Sequence, residues 1–174
     1  TDQIDRIDRP NGTSRWYALR TKSRHEKLVR DRLEAQGTEA LLPTVKRLSQ
    51  WKNQKKEVEV PLFSGYCFAR FAWPDRLAVQ TTSGVVEIVG GGERPESIPD
   101  EEIEAIRQLM ASTLRYDASP YLREGMMVEV TKGPLQGVRG LLVRKGKRHR
   151  LVIAVHLIQQ AASVEMYDSD VVPV

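Results

Sequence analysis

The chain has 174 residues, 40% of them hydrophobic and 29% charged, and a formal net charge of +4. That length holds one large or two small domains, and no apolar run is long enough to cross a membrane. A single cysteine excludes an intramolecular disulfide and a cysteine-rich zinc site, and with no signal-peptide pattern at the start it points to the cytoplasm.

Residues 1–14 mix Asp, Arg and Asn11-Gly12 with isolated isoleucines and read as a flexible tail. Trp16 to Lys22 reads as a first strand. Ser23-Arg24-His25-Glu26 has the form of a capping box, in which Ser accepts from the third helical amide and Glu reaches back. The predicted helix carries Leu28, Val29, Leu33 and Ala35 on one side and stops at Gln36-Gly37. Residues 38–47 and 57–71 are strand-rich, and the polar stretch between them predicts a hairpin with a connection longer than a tight turn. Pro74 precedes a short helix through Leu77, Ala78 and Val79, and residues 85–89 form a strand that stops at Gly90-Gly91-Gly92. Pro99 and the acids Asp100, Glu101 and Glu102 mark another helix start, because carboxylates favour the positive end of the helix dipole. Ile103, Ile106, Leu109 and Met110 then recur at helical spacing. This order predicts an α+β fold with an antiparallel sheet flanked by helices.

Residues 113–121, with Asp117, Ser119 and Pro120, have the composition of a linker. Beyond it, runs at 126–131, 139–144, 151–157 and 163–167 predict a small β-barrel. Residues 156–162 contain no helix breaker and leave a helical alternative open, while Gly133-Pro134 and Gly137 favour the barrel.

Leu62-Phe63-Ser64-Gly65-Tyr66-Cys67-Phe68-Ala69-Arg70-Phe71 is an apolar strand broken by a Ser-Gly step, with an aromatic on either side. Glycine allows a bulge there, so the two rings can be aimed away from the pleat; the alternative is that both are core. Gly133-Pro134-Leu135-Gln136-Gly137-Val138-Arg139-Gly140-Leu141-Leu142-Val143 is a glycine-punctuated turn into a β run. In this order and at this separation the two motifs resemble the NusG family of transcription elongation factors. The resemblance implies an N-terminal RNA polymerase-binding domain at 15–112, a linker at 113–121 and a KOW β-barrel at 122–174. It further implies that Phe63, Tyr66, Val89 and Trp16 bind bacterial RNA polymerase, gripping the clamp helices of its largest subunit. Ser64 stands where the common family form has proline.

Lys46, Arg47, Lys52, Lys55 and Lys56 precede Glu57 without an intervening acid, and Trp51 sits among them. Cations neutralise phosphates and an indole can stack on a splayed base, so this hairpin suits DNA at the transcription bubble, where the family places it. The alternative is a solvated loop with Trp51 folded back on the sheet. Arg144, Lys145, Lys147, Arg148 and Arg150 crowd a second turn, open to RNA contact or to simple solvation. Leu122, Leu135 and Val138 match the positions from which the family barrel reaches a small-subunit ribosomal protein or Rho. Val138 replaces the usual aromatic there, which argues against Rho.

Catalysis finds no support. His25, His149 and His156 lack metal-ligand spacing, Cys67 lies inside an apolar strand, and Gly90 to Gly92 lack a phosphate-binding pattern, so no cofactor or metal is implied. The reading is a processivity and antitermination factor. Pro61-Leu62-Phe63 with Cys67-Phe68, and Val138, resemble the specialised RfaH-like branch, whose members serve particular long operons. Housekeeping NusG, or a ribosome- or RNA-binding module without polymerase contact, stand as the alternatives.

Overall fold

The computed structural model describes residues 13–93 and 95–174, apart from the side chain of Lys145. Residues 1–12 of the expected tail lie outside the described residues, and Ser14 already opens the first strand. The chain divides into two compact units, one holding the residues up to 42 with 64–100, the other 43–63 with 101–174.

In the first unit, β1 (Ser14–Thr21), β2 (Glu39–Leu41), β5 (Tyr66–Ala72) and β6 (Val85–Ile88) form an antiparallel sheet in the order β2-β5-β1-β6. Helix α1 (Glu26–Ala35) lays Val29 and Leu33 into its core, with Leu19, Cys67, Ala69 and Ile88. Tyr17 packs against Phe71 and Trp73 with ring centroids 4.7 and 5.3 Å away. A 3-10 turn (Trp73–Asp75) leads into the short helix α2 (Arg76–Gln80), the helix expected after Pro74.

The ends of α1 divide the sequence expectations. Its C-terminus closes as Gln36-Gly37 predicts: the Gly37 N–H donates to Glu34 O and the Thr38 N–H to Leu33 O, the paired bonds of a Schellman cap. The capping box does not form. The helix starts at Glu26, two residues later than Ser23 requires, no side chain caps it, and Arg24 takes a left-handed φ of 62°. The chain turns sharply before α1, which carries Glu26 into the interior instead of back toward Ser23.

In the second unit, β3 (Thr44–Trp51) and β4 (Gln54–Pro61) make a separate two-stranded ribbon. Its connection is shorter than expected. Lys52 and Asn53 alone turn the chain, both at positive φ (46° and 63°), the pattern of a tight hairpin whose twist matches its strands. Helix α3 (Asp100–Ala111) buries Ile103, Ile106 and Leu109 as its period predicts.

A six-stranded antiparallel sheet completes this unit: β7 (Tyr116–Ser119), β8 (Met126–Val130), β9 (Arg139–Lys145), β10 (Arg148–Val155), β11 (Gln160–Met166) and β12 (Val171–Pro173), ordered β12-β8-β9-β10-β11-β7. Strand β7 lies within the stretch expected to be linker. Its polar composition fits an edge strand, where only β11 supplies a partner. Residues 156–162 are not helical. They make one 3-10 turn, Gln159 reverses at φ 52°, and β11 begins at Gln160. Gly140 is set by close approach, since a Cβ there would meet the Val152 carbonyl oxygen at 2.5 Å. An N-terminal antiparallel sheet with helices followed by a C-terminal all-strand sheet is the fold class expected from the sequence.

Candidate functional site

The Ser64-Gly65 step is a turn between β4 and β5. Gly65 takes φ +85°, where a side chain is strained although space is open around it. Its backbone is held on both sides: the Thr21 N–H donates to Gly65 O at 2.8 Å, and the Gly65 N–H donates to Glu26 Oε2 at 3.3 Å.

The expected polymerase-binding residues separate by exposure. Phe63 does not project from this turn; it is 2% exposed. The Leu62 N–H donates to Pro43 O, which closes the ribbon's base, and Leu62 and Phe63 are buried together. Trp16, at 3%, is likewise covered, paired in β1 opposite Arg70 and bridged to Ile98. Tyr66 and Val89 are half-buried and reach the surface. The sequence reading missed Leu77 and Val86, both well exposed on the same unit. Strand alternation would put Val86 on the inward face with Ile88; the register shift between Arg20 and Thr21, which leaves Val86 without a cross-strand partner, accompanies its exposure.

The ribbon brings its expected residues together and sorts them. Cross-strand partners share a face, so Arg47, Ser49 and Trp51 lie with Val58, Lys56 and Gln54, while Lys46, Leu48 and Gln50 lie with Glu59, Glu57 and Lys55. The first face carries a tryptophan and two cations and no carboxylate of its own. Trp51 is 64% exposed, so it is not folded back on a sheet. Lys46 sits 3.5 Å from Glu57 and Arg47 2.9 Å from Asp117. Lys52, Lys55 and Lys56 make no ion pair among the described residues.

The barrel positions behave differently. Leu135 and Val138 are 1% and 4% exposed, and so do not form an open partner surface. The 133–138 turn folds onto itself through the Gln136 N–H to Gly133 O and the Val138 N–H to Leu135 O bonds. The Gln108 amide of α3 donates to both Pro134 O and Gln136 O, at 3.0 and 2.9 Å. Leu122 is half-buried against Leu141, Val152 and Ala161. In the basic turn, Arg144 donates to Gly146 O, Arg148 pairs with Glu165 at 3.2 Å, and Arg150 donates to the Ser163 hydroxyl and carbonyl. Lys147 is exposed, and the Lys145 side chain lies outside the described residues.

Among the described residues no titratable group suggests a nucleophile. Burial pushes the Cys67 thiol up to about 12, and its sulfur faces the Leu41 and Phe68 carbonyl oxygens. Among the described residues no group of three or more His, Cys, Asp and Glu side chains could hold a metal ion, and no helix is long and apolar enough to cross a membrane.

Residues 14–107 match the family model described as transcription termination factor NusG. Three curated relatives carry the name transcription termination/antitermination protein NusG. That of Campylobacter jejuni is 26% identical over 91% of this chain and 97% of its own. Those of Pseudomonas aeruginosa and Thermus thermophilus are 26% and 28% identical, each over 90% of this chain and 97% of theirs. Among solved structures, Thermotoga maritima NusG superposes with a TM-score of 0.54 at 22% identity, covering 91% of this chain and 96% of that one, a likeness of fold. With more than half of the chain inside the family model, this protein belongs to the NusG family of transcription termination/antitermination factors.

Proposed function

We propose that this chain is a transcription elongation and antitermination factor that binds the clamp helices of RNA polymerase. In this reading it keeps the enzyme transcribing and lays the β3–β4 ribbon against DNA at the bubble. It catalyses no reaction and needs no cofactor. The observation that carries the reading is the acid-free ribbon face, on which exposed Trp51 stands beside Lys56, with Lys52 at the tip. An indole flanked by cations offers a base a stacking surface and its phosphates a counter-charge. Tyr66 and Val89 are the surface members of the polymerase contact. Phe63 joins them only when its ring is uncovered. A specialised role on particular long operons is supported by Pro61-Leu62-Phe63, Cys67-Phe68 and Val138.

The test is binding of the full chain to purified bacterial core polymerase, with thermal stability measured on the same variants. Tyr66→Ala should keep the melting temperature and weaken binding roughly tenfold, about 1.4 kcal/mol. Phe63→Ala should cost stability as well, about 3–5 kcal/mol for a truncated buried Phe. A wild-type chain that leaves polymerase behind but retains RNA would replace the proposal with the RNA-module reading. Transcripts that change only across a few long operons on deletion support the specialised role, and a genome-wide change rejects it.

A further inference from the structure

Glu26 is a buried carboxylate with an incomplete set of partners. The residue is 6% exposed; its Oε2 accepts the Gly65 N–H, and its Oε1 has no hydrogen-bond partner. Thr21, also 6% exposed, supplies the N–H that holds Gly65 O, and its own hydroxyl is a second buried oxygen without a partner. Both residues therefore converge on Gly65, which adopts a left-handed conformation. Burying a carboxylate is costly unless it is hydrogen-bonded, so its presence beneath a surface turn calls for a reason. The first turn of α1 partly supplies one, because the amides at a helix N-terminus favour negative charge. The expected capping role supplies none, since Glu26 faces the Gly65 turn.

We infer that Glu26 is a positioning residue: with the Thr21 backbone it clamps the N–H and carbonyl of Gly65 and so fixes the Ser64–Tyr66 turn in the orientation that engages polymerase. The inference rests on the proposed polymerase contact for its functional half and on the hydrogen bonds alone for its structural half. The clamp explains why one extended apolar run is divided at Ser64-Gly65. Thr21 and Glu26 bracket the sharp turn before α1, so strand, helix start and interface turn are tied at a single point.

The experiment compares Glu26→Met, which fills the space without an acceptor, with Glu26→Gln, which keeps an acceptor for Gly65. On the full chain, amide hydrogen exchange at Gly65 is read against that at Leu19 in the sheet, beside affinity for core polymerase. Glu26→Met should speed Gly65 exchange about ten- to a hundredfold, the range for losing a hydrogen bond to a charged group. Leu19 should stay protected and polymerase binding should weaken about tenfold, while Glu26→Gln should restore both. If Glu26→Met fails to fold, Glu26→Asp shortens the reach by one methylene and should show the same pattern. Unchanged Gly65 exchange overturns the clamp. Faster Gly65 exchange with unchanged affinity, in a protein whose Tyr66→Ala variant binds poorly, overturns the positioning role. A wild-type chain that does not bind polymerase removes the functional half, and the exchange data still decide the clamp.

Discussion

Two turns of this protein look alike as sequence and differ as structure. The ribbon tip and the β9–β10 turn are both rich in lysine and arginine, and the second is the denser. At the ribbon tip Lys52, Lys55 and Lys56 extend from a two-stranded sheet and make no ion pair among the described residues, with Trp51 exposed among them. In the β9–β10 turn each arginine is already engaged, Arg144 with a carbonyl, Arg148 with Glu165 and Arg150 with Ser163. Charge density along a chain therefore does not measure charge available to a partner. What neighbours have neutralised or hydrogen-bonded must be subtracted first.

The largest effect should come from the ribbon. Changing Lys52, Lys55 and Lys56 to Ser should weaken binding to a polymerase complex carrying a DNA bubble about ten- to a hundredfold near physiological salt. It should also reduce the salt slope by about 2, three single-strand phosphate contacts at roughly 0.7 each. Binding to core polymerase without DNA should survive; an equal fall in both places the ribbon in the protein interface. Trp51→Ala should cost about tenfold with the salt slope unchanged, because stacking at roughly 1–3 kcal/mol per base releases no counterions. A changed slope without lost affinity at high salt would assign Trp51 no stacking role.

On the other side of the comparison, Arg150→Ala should act on stability. Its bonds to Ser163 join β10 to β11, and losing them should cost about 1–2 kcal/mol in chemical denaturation. Lys147→Ser with Arg148→Ser should change nucleic-acid affinity less than about threefold, since an exposed ion pair already screens one of the two charges. A larger loss would erase the contrast between the turns.

The smallest effect concerns a carboxylate on α3. Burial pushes the Glu102 carboxyl above its ordinary value of 4.5, outweighing the His156 N–H that it accepts and the nearby His156 charge. A raised folded-state pKa means that the folded protein is penalised when the group ionises, so the penalty is present at neutral pH and disappears in acid. Glu102→Gln keeps an acceptor for His156 and should raise the melting temperature slightly at pH 7. The advantage should vanish below about pH 4, where the unfolded carboxyl is also protonated. A gain that persists in acid would trace it to packing instead.

Much of the architecture was legible because it depends on local chemistry. Hydrophobic periodicity located the buried face of α3 and, in α1, Val29 and Leu33 but not Leu28 and Ala35, which are exposed; Gln36-Gly37 located a cap, and the glycine-rich 133–143 run located the turn between β8 and β9. The elements read wrongly were those in which a local signal met a tertiary competitor. Ser23 to Glu26 had the letters of a capping box, but Glu26 bonds Gly65, a residue thirty-nine positions away. Polar Tyr116–Ser119 had the composition of a linker, yet β11 offered its backbone a partner.

The candidate residues divide on the same line. Alternation along a strand tells which side chains share a face, and register across the ribbon then sets Trp51, Lys56 and Arg47 together. That register depends on Lys52 and Asn53 both accepting positive φ, which no composition rule demands of a lysine. Sequence alone determined the kinds of surface this protein carries: an aromatic turn, a basic ribbon and a basic barrel loop. Only the folded chain decided which of them is open, because the burial of Phe63, Trp16, Leu135 and Val138 is a tertiary outcome, and Arg148 and Arg150 pair with Glu165 and Ser163 on a different strand.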